Sequence, residues 1–185
     1  MGEYYEKVKK ISNDILKIII PEFIEKYEIN INRPILSISD QEHMRGMVGR
    51  FIPIGDYGVI KIQEEYCKSK MNCSDVITHE IGHVSVYQNC LDYKKLWEKN
   101  DSFFEILDEG ISQKVMRDGL KILKNKGYLN KSMFYYFYNQ LKIYRLPKKY
   151  RNGEKIVNYY IKKGVKMREL IKYPEEFKID IDRLI

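Results

Sequence analysis

The sequence predicts an α+β fold in which a small, mainly antiparallel sheet and one central helix are followed by a mostly helical C-terminal lobe. Three observations predict it. The apolar residues first recur at helical spacing. Short runs rich in Ile and Val follow, separated by Gly, Pro and Asp, and helical spacing of apolar residues returns in the second half. Because strands and helices occupy separate stretches rather than alternating, the pattern indicates α+β rather than α/β.

The first element is predicted to be a helix over residues 3–28, with lysines and glutamates on one side and apolar residues on the other. Pro21 is expected to kink or divide it, because proline lacks the amide hydrogen that a helix interior requires. Three short strands are predicted next, and they cover Pro34–Ile38, Met47–Ile52 and Gly58–Ile62. The last two are expected to be antiparallel and joined by a loop rich in Gly, Pro and Asp.

Four helices are predicted after the strands, and they cover 72–90 or 74–90, 102–124, 132–144 and 154–171. Either Asn72 or Ser74 is expected to cap the first of them. The second is expected to begin at Ser102, because Ser102 and Glu105 have the S-x-x-E spacing of a capping box.

No linker interrupts the chain, so we expect a single domain over residues 1–185. Within it, 1–30 is the N-terminal helix, 31–91 holds the sheet and the central helix, and 92–185 is the helical lobe. With 185 residues, of which 44% are hydrophobic, the chain can bury one sizeable core.

Composition narrows the functional classes. The net charge of +7 comes mostly from lysines in the second half, and we interpret it as a solvated helical surface, because no RNA- or DNA-binding fingerprint accompanies it.

The apolar run Ile15–Ile20 is short and interrupted by Lys17, which argues against a signal peptide or a membrane span. Cys67, Cys73 and Cys90 lack CxxC spacing, so we interpret them as reduced, partly buried thiols of a cytoplasmic protein; a Cys67–Cys73 disulfide is the alternative.

The segment from His79 to His83 is an HExxH motif and contains two of the three histidines in the chain. On a helix, residues four positions apart lie about 40° from each other and one turn apart, so both imidazoles can converge on one metal ion. The helix is apolar on nearly all sides, which predicts that it is buried, and buried imidazoles need a polar partner or a metal. We therefore expect Zn²⁺ bound by His79 and His83. The alternative is a pair of core histidines satisfied by hydrogen bonds.

A catalytic zinc site takes three protein ligands and leaves a fourth position open. The extended pattern HExxHxxGxxH is excluded, because its glycine and third histidine positions hold Val86 and Asn89. The third ligand can instead be a carboxylate from the next helix, and the candidates are Glu105, Asp108 and Glu109. Glu105 is expected to serve the capping box, whereas Glu109 lies one turn further along, beside a glycine that lets two helices approach. We favour Glu109, with Glu105 and Asp108 as alternatives.

These motifs resemble those of the gluzincins, zinc peptidases with two HExxH histidines and a downstream glutamate. The segment Asp108–Ser112 is similar to the segment of the aminopeptidase branch, and of small peptidase-MA-like proteins, in which a glutamate before glycine is the third ligand. The stretch 150–157 resembles the helix that follows in peptidase-MA-like proteins, so the similarity covers roughly residues 45–175. The resemblance implies Glu109 as the third ligand. The spacer of twenty-five residues between His83 and Glu109 is longer than in the aminopeptidase branch.

The resemblance also implies a zinc metallopeptidase that acts on peptide or protein substrates. Glu80 is expected to be the general base toward a zinc-activated water. A second group is expected to stabilise the oxyanion. We favour Tyr150 for this role, with Tyr159 and His43 as alternatives.

Substrate binding is expected along the sheet. We expect Gly58–Ile62 to be the sheet edge nearest the central helix, where an extended peptide adds as a further strand. An aminopeptidase needs an acidic anchor for the free amine, and the segment 44–47 offers no acid. An endopeptidase is therefore favoured.

Two other functions stay open. A regulatory protein would keep the zinc-site fold without catalysis, although a purely structural site has no need of Glu80. A nucleic-acid-binding module would use the net charge and the aromatic run Phe134–Tyr138, but such a run more often packs in a core.

Overall fold

A computed structural model of the chain describes residues 4–143 and 147–178, with side chains given for 4–139 and 147–178. In chain order the elements are α1 (Tyr5–Tyr27), β1 (Ile35–Ser39), α2 (Gln41–Met44), β2 (Gly49–Ile52), β3 (Val59–Gln63), α3 (Lys70–Asn89), α4 (Tyr93–Glu98), α5 (Ser102–Asn125), α6 (Lys131–Ile143), α7 (Lys148–Lys162) and α8 (Met167–Lys172). The predicted α+β class is confirmed, because the strands form one small sheet and helices dominate the C-terminal part.

α1 packs one apolar face against the rest of the protein. Its buried residues recur at helical spacing, and they include Val8, Ile11, Ile15, Ile19 and Phe23. Of the two predicted effects of Pro21, division of the helix is wrong, because α1 is continuous from Tyr5 to Tyr27. Pro21 and Lys17 are both exposed, so water can satisfy the carbonyl group that loses its amide partner. Residue 3, the predicted start, lies outside the described residues.

The sheet has the strand order β1-β3-β2, with β1 parallel and β2 antiparallel to the central β3. The predicted antiparallel pair is confirmed. The sheet as a whole is mixed rather than mainly antiparallel, because the chain passes through α2 and β2 before β3 pairs with β1. The expectation that Gly58–Ile62 forms the edge nearest the central helix is wrong. β3 has a neighbouring strand on each side, so β2 is the edge strand that packs against α3.

α3 is the central helix, as predicted, and twelve of its twenty residues are buried. Its N-cap is Ser69, whose side-chain oxygen accepts a hydrogen bond from the amide of Asn72 at 3.1 Å. The predicted caps Asn72 and Ser74 therefore lie inside the first turns. Ser69 takes this role because its backbone is extended, with φ −98° and ψ 148°, as an N-cap requires.

The capping box predicted at Ser102 is wrong. Asp101 is the N-cap of α5, and its carboxylate accepts hydrogen bonds from the amides of Phe103 and Phe104. An aspartate at this position satisfies two of the free amides at the helix start, so Glu105 is not needed there.

The helix predicted over Glu154–Ile171 is divided into α7 and α8, because Gly164, with φ 89°, turns the chain between them. α6 agrees with the helix predicted over 132–144, whose last residue lies outside the described residues. In its aromatic run Phe134 is buried, whereas Tyr135 and Tyr136 are exposed. The expected core packing of this run therefore holds for only part of it.

All three cysteines are buried and form no disulfide, which agrees with the predicted reduced thiols. Within residues 4–143 and 147–178, every helix is too short or too polar to span a bilayer.

A buried carboxylate connects α1 to α5. Asp118 is 3% exposed, and its Oδ2 accepts hydrogen bonds from Lys26 at 2.7 Å, from the hydroxyl of Tyr27 at 2.8 Å and from Lys114 at 2.7 Å. Burial alone would raise the pKa of Asp118, but Lys114, Lys26 and Tyr27 together lower it. The carboxylate is therefore ionised in the folded chain at neutral pH.

We expect Asp118→Asn to lower the free energy of unfolding at pH 7 by about 1–3 kcal/mol, because an amide cannot replace these charge-assisted hydrogen bonds and the lysines left behind are partly solvated. The folded-state pKa lies below the unfolded value of about 3.9, so the stabilisation is complete above that value and is lost as the pH falls through the folded-state pKa. Urea titrations should give the same difference at pH 7 and pH 5. A difference that vanishes at pH 5 would contradict the assignment.

Candidate metal centre

α3 and α5 cross at a point where neither helix has a large side chain. A Cβ atom at Gly82 would lie 2.4 Å from the Cα of Ser112, so α3 can lie this close to α5 only with glycine at that position. Gly82 immediately precedes His83, and Ser112 lies three residues after Glu109. The close crossing therefore brings the carboxylate of α5 to the histidines of α3.

The three predicted ligands meet at this crossing. His79 Nε2 and His83 Nε2 lie 3.2 Å apart, and Glu109 Oε2 lies 3.6 Å from the former and 3.7 Å from the latter. These residues form a group that could hold a metal ion. Ligand atoms about 2.0–2.2 Å from a tetrahedral ion lie about 3.3–3.6 Å apart, so the triangle has nearly the size of one face of a tetrahedral site.

The charge state of the group also suits a cation. Glu109 Oε2 is buried and has no hydrogen-bond partner among the described residues, and a bound cation would supply that partner. Burial alone would raise the pKa of Glu109, but the two imidazoles and a nearby lysine lower it. Burial alone would lower the pKa of His83, whereas Asp108, Glu80 and Glu109 raise it to about 10. Carboxylates thus surround the imidazoles and favour positive charge at this point.

Each histidine has a polar side chain beside its Nδ1 atom. His83 Nδ1 lies 2.9 Å from Asp108 Oδ2, and His79 Nδ1 lies 3.4 Å from Gln113 Nε2. An acceptor for the Nδ1–H group fixes the tautomer whose Nε2 lone pair is free for a metal. The side-chain carbonyl oxygen of Gln113 is buried and has no hydrogen-bond partner among the residues that the structure describes, and a half-turn of the amide would present it to Nδ1 of His79.

Asp108 and Glu105, the alternative third ligands, contact groups other than the two histidine Nε2 atoms. Asp108 binds the far side of His83, and the Glu105 carboxylate accepts a hydrogen bond from Lys149 at 3.1 Å. Sequence reasoning missed the roles of Asp108 and Gln113, although helical spacing carried a signal. Asp108 is adjacent to the ligand Glu109 and therefore about 100° away around the helix, and Gln113 is four residues later on the same face as Glu109.

We expect Asp108→Asn to weaken metal binding by about 10–100-fold, because an amide fixes the His83 tautomer less strongly than a carboxylate. Competition with a fluorescent zinc chelator would measure the change in Kd. Asp92→Asn, which removes one carboxylate at the N-cap of α4 that does not line the cleft, is the matched control and should leave Kd unchanged. Equal Kd values for wild type and Asp108→Asn would contradict this role.

Glu80 lies between the ligands and the edge strand. It is 5% exposed, and a Cβ atom at Gly49 of β2 would lie 2.8 Å from its Oε1, so the glycine leaves room for the carboxylate. Within the described part of the chain it accepts no hydrogen bond. Burial raises its pKa, although His79 and His83 oppose the shift. A carboxylate with a raised pKa takes up a proton readily, as a general base must.

Tyr150 lies at the site, as predicted. Its ring stands edge-on to the imidazole of His79, with ring centroids 5.8 Å apart, and it lines the same cleft as Glu80. Burial, together with the charges of Glu109 and Glu80, raises the pKa of Tyr150 to about 12. The hydroxyl group therefore stays protonated at neutral pH and can donate a hydrogen bond to an oxyanion.

The helix that carries Tyr150 is held close by a second glycine contact. Gly110, at which the sequence predicts a close approach of helices, contacts Gly153 of α7; a Cβ atom at Gly110 would lie 2.2 Å from the backbone of Gly153. The alternatives to Tyr150 lie elsewhere. Tyr159 contacts Tyr160 and a lysine, and the exposed His43 lies 2.6 Å from Asp40; neither residue lines the cleft.

Two adjoining pockets form the cleft. The first, of about 280 Å³, is lined by all three candidate ligands and has aromatic walls, and these are Phe51, Tyr93 and Trp97. The second, of about 410 Å³, is reached by His79 alone of the three and has aliphatic and thioether walls, and these are Met47, Val48, Val76 and Met116. Both pockets reach His79, Glu80 and Tyr150, and β2 forms part of the wall of each.

Comparison with known proteins gives no match: no family model, no curated protein and no solved structure matches this chain. The residues and geometry of the site therefore carry the functional argument.

Proposed function

We propose that this chain is a zinc-dependent endopeptidase of gluzincin type. The observation that carries the proposal is the convergence of His79 Nε2, His83 Nε2 and Glu109 Oε2 within 3.2–3.7 Å of one another, beside a buried glutamate in an open cleft. Two imidazoles and one carboxylate are a known donor set of catalytic zinc. A site that only stabilised the fold would have no use for Glu80, which is buried beside the ligands without a hydrogen bond among the described residues.

When bound, zinc supplies Lewis acidity, which polarises a substrate carbonyl and lowers the pKa of the water that attacks it. Glu80 accepts the proton of that water and then gives it to the leaving amine, for which its raised pKa suits it. Tyr150 donates a hydrogen bond to the oxygen on which negative charge develops. Asp108 and Gln113 keep the two imidazoles in place.

The surroundings of the site support an extended peptide as substrate. β2 is an edge strand along the cleft, so its outer side can pair with the main chain of a peptide. Two adjoining pockets share His79, Glu80 and Tyr150, which leaves room for more than one residue of a substrate. The segment 44–47 offers no acid to anchor a free α-amine, so cleavage of internal bonds is the activity that we favour.

We expect Tyr150→Phe to lower kcat by about 10–1,000-fold while KM and bound zinc change little, because the hydroxyl donates its hydrogen bond mainly in the transition state. Tyr159→Phe, which removes a tyrosine hydroxyl from the same helix outside the cleft, is the matched control and should keep full activity. If Tyr159→Phe lost as much activity as Tyr150→Phe, the assignment would be wrong.

A peptide-library digestion read by mass spectrometry tests the proposed activity. We expect zinc-loaded protein to cut internal bonds of many peptides, and we expect a chelator to stop cleavage until zinc is restored. Zinc-loaded protein that cuts no peptide, while binding one zinc ion per chain, would support a regulatory zinc protein and overturn the peptidase proposal.

A further inference from the structure

The pocket of about 410 Å³ contains a carboxylate that the proposed chemistry does not use. Asp75 lines this pocket on α3, four residues before His79, so it lies about 6 Å along the helix from the ligand. The other walls come from the segment before β2 and from α5, through residues such as Met47 and Met116.

Asp75 lacks a partner in the described structure. Its Oδ1 atom is buried and accepts no hydrogen bond from residues 4–139 or 147–178, and no ion pair involves its carboxylate there. Burial raises the pKa of Asp75 to about 6, although His79 opposes the shift. An unpaired carboxylate in such a place is costly to the folded chain, and a cation in the pocket would remove that cost.

The pocket has neither lysine nor arginine to pair with this carboxylate. Among its described lining residues Asp75 and Glu80 are the acidic ones, and the one basic side chain, His79, is a proposed metal ligand. The net charge of +7 on the whole chain does not reverse the local sign, because charges beyond about 8 Å are largely screened at physiological ionic strength. The pocket therefore combines apolar walls with a negative end.

We propose that this pocket binds a lysine or arginine side chain of the substrate, with the apolar stem against Met47, Val76 and Met116 and the cationic head at Asp75. The proposal rests on the endopeptidase function and adds a substrate class to it. Long basic side chains bury their methylene groups along apolar surfaces while the charged head finds a polar partner, and this pocket offers both.

The position of Asp75 favours a side chain over the free α-amine of a peptide. When a peptidase removes the first residue of a peptide, the free α-amine belongs to the residue whose carbonyl group is attacked. That amine therefore lies within one residue of the carbonyl group at the metal ligands. Asp75 lies a full helical turn from His79, a distance that the four-carbon stem of lysine can bridge.

The test compares two peptides. The first is a peptide cleaved in the library digestion, with lysine at the position where the cleaved peptides show the strongest preference. In the second, norleucine, which has no charge, replaces that lysine. We expect wild type to cleave the lysine peptide with a kcat/KM about 10–100-fold higher. Asp75→Asn should reduce that ratio to within about threefold, because its amide has no charge to offer. Asp56→Asn, the same change at an exposed turn outside the cleft, is the matched control and should keep the wild-type ratio.

Three kinds of result would overturn this inference. A wild-type ratio near one, or a ratio that survives Asp75→Asn, overturns this inference and leaves the endopeptidase intact. Loss of cleavage when the peptide N-terminus is acetylated identifies the α-amine as the cation and overturns the side-chain assignment. No cleavage of any peptide overturns the proposed function and this inference with it. If Asp75→Asn fails to fold, Asp75→Ser, which also removes the charge, takes its place in the same comparison.

Discussion

Glu80→Gln is expected to lower kcat/KM for peptide cleavage by about 10²–10⁴-fold while the protein keeps one zinc ion per chain. The side chains have nearly the same shape, so the amide should fit between Gly49 and the ligands as the carboxylate does. An amide cannot accept the proton of the attacking water, so the chemical step should fail rather than substrate binding. Steady-state kinetics and metal analysis on the same preparation would measure both quantities.

The control for this substitution is Glu98→Gln, which makes the same chemical change on an exposed position of α4. It should retain wild-type kcat/KM. Glu80→Gln protein with full activity would remove Glu80 from the mechanism. Glu80→Gln protein that lost its zinc would instead make Glu80 part of the metal site, contrary to the geometry described above.

The second large effect is expected at the ligands themselves. His79→Ala, His83→Ala or Glu109→Gln should each weaken zinc binding by about 3 kcal/mol or more, which is two orders of magnitude in Kd, because each removes one of the three proposed protein donors. Peptidase activity should fall with metal occupancy. Equilibrium dialysis at fixed free zinc would measure Kd, and thermal denaturation of the metal-free proteins would show whether each variant still folds.

Glu105→Gln is the informative control, since Glu105 is on the same helix, lines the same cleft and is an alternative ligand from the sequence. Its carboxylate contacts Lys149, so we expect its loss to leave the zinc Kd unchanged. If Glu105→Gln released zinc as fully as Glu109→Gln, the ligand assignment would be wrong.

The sequence was most informative where one helix determines the geometry. His79 and His83 are four residues apart on α3, so their convergence follows from helical periodicity alone. Glu109 was harder to predict, because it reaches the histidines only through the close crossing of α3 and α5 at Gly82 and Ser112. The sequence contained both small residues but did not show that they face each other.

The strand order could not be predicted, because hydrophobic alternation identifies strands without determining their neighbours. β3 was therefore mistaken for the edge beside the central helix, although β2 has that place. The carboxylate of Asp75, whose Oδ1 has no hydrogen-bond partner among the described residues, was missed for a related reason. Its surroundings depend on which side chains face it across the pocket, and local sequence patterns do not carry that information.

The most direct test of the metal site is a crystal structure of zinc-loaded protein with diffraction data collected above and below the zinc absorption edge. We predict one anomalous peak per chain, about 2.0–2.2 Å from His79 Nε2, His83 Nε2 and Glu109 Oε2. Fully loaded protein with no peak at this position, or with its zinc held by other residues, would contradict the account.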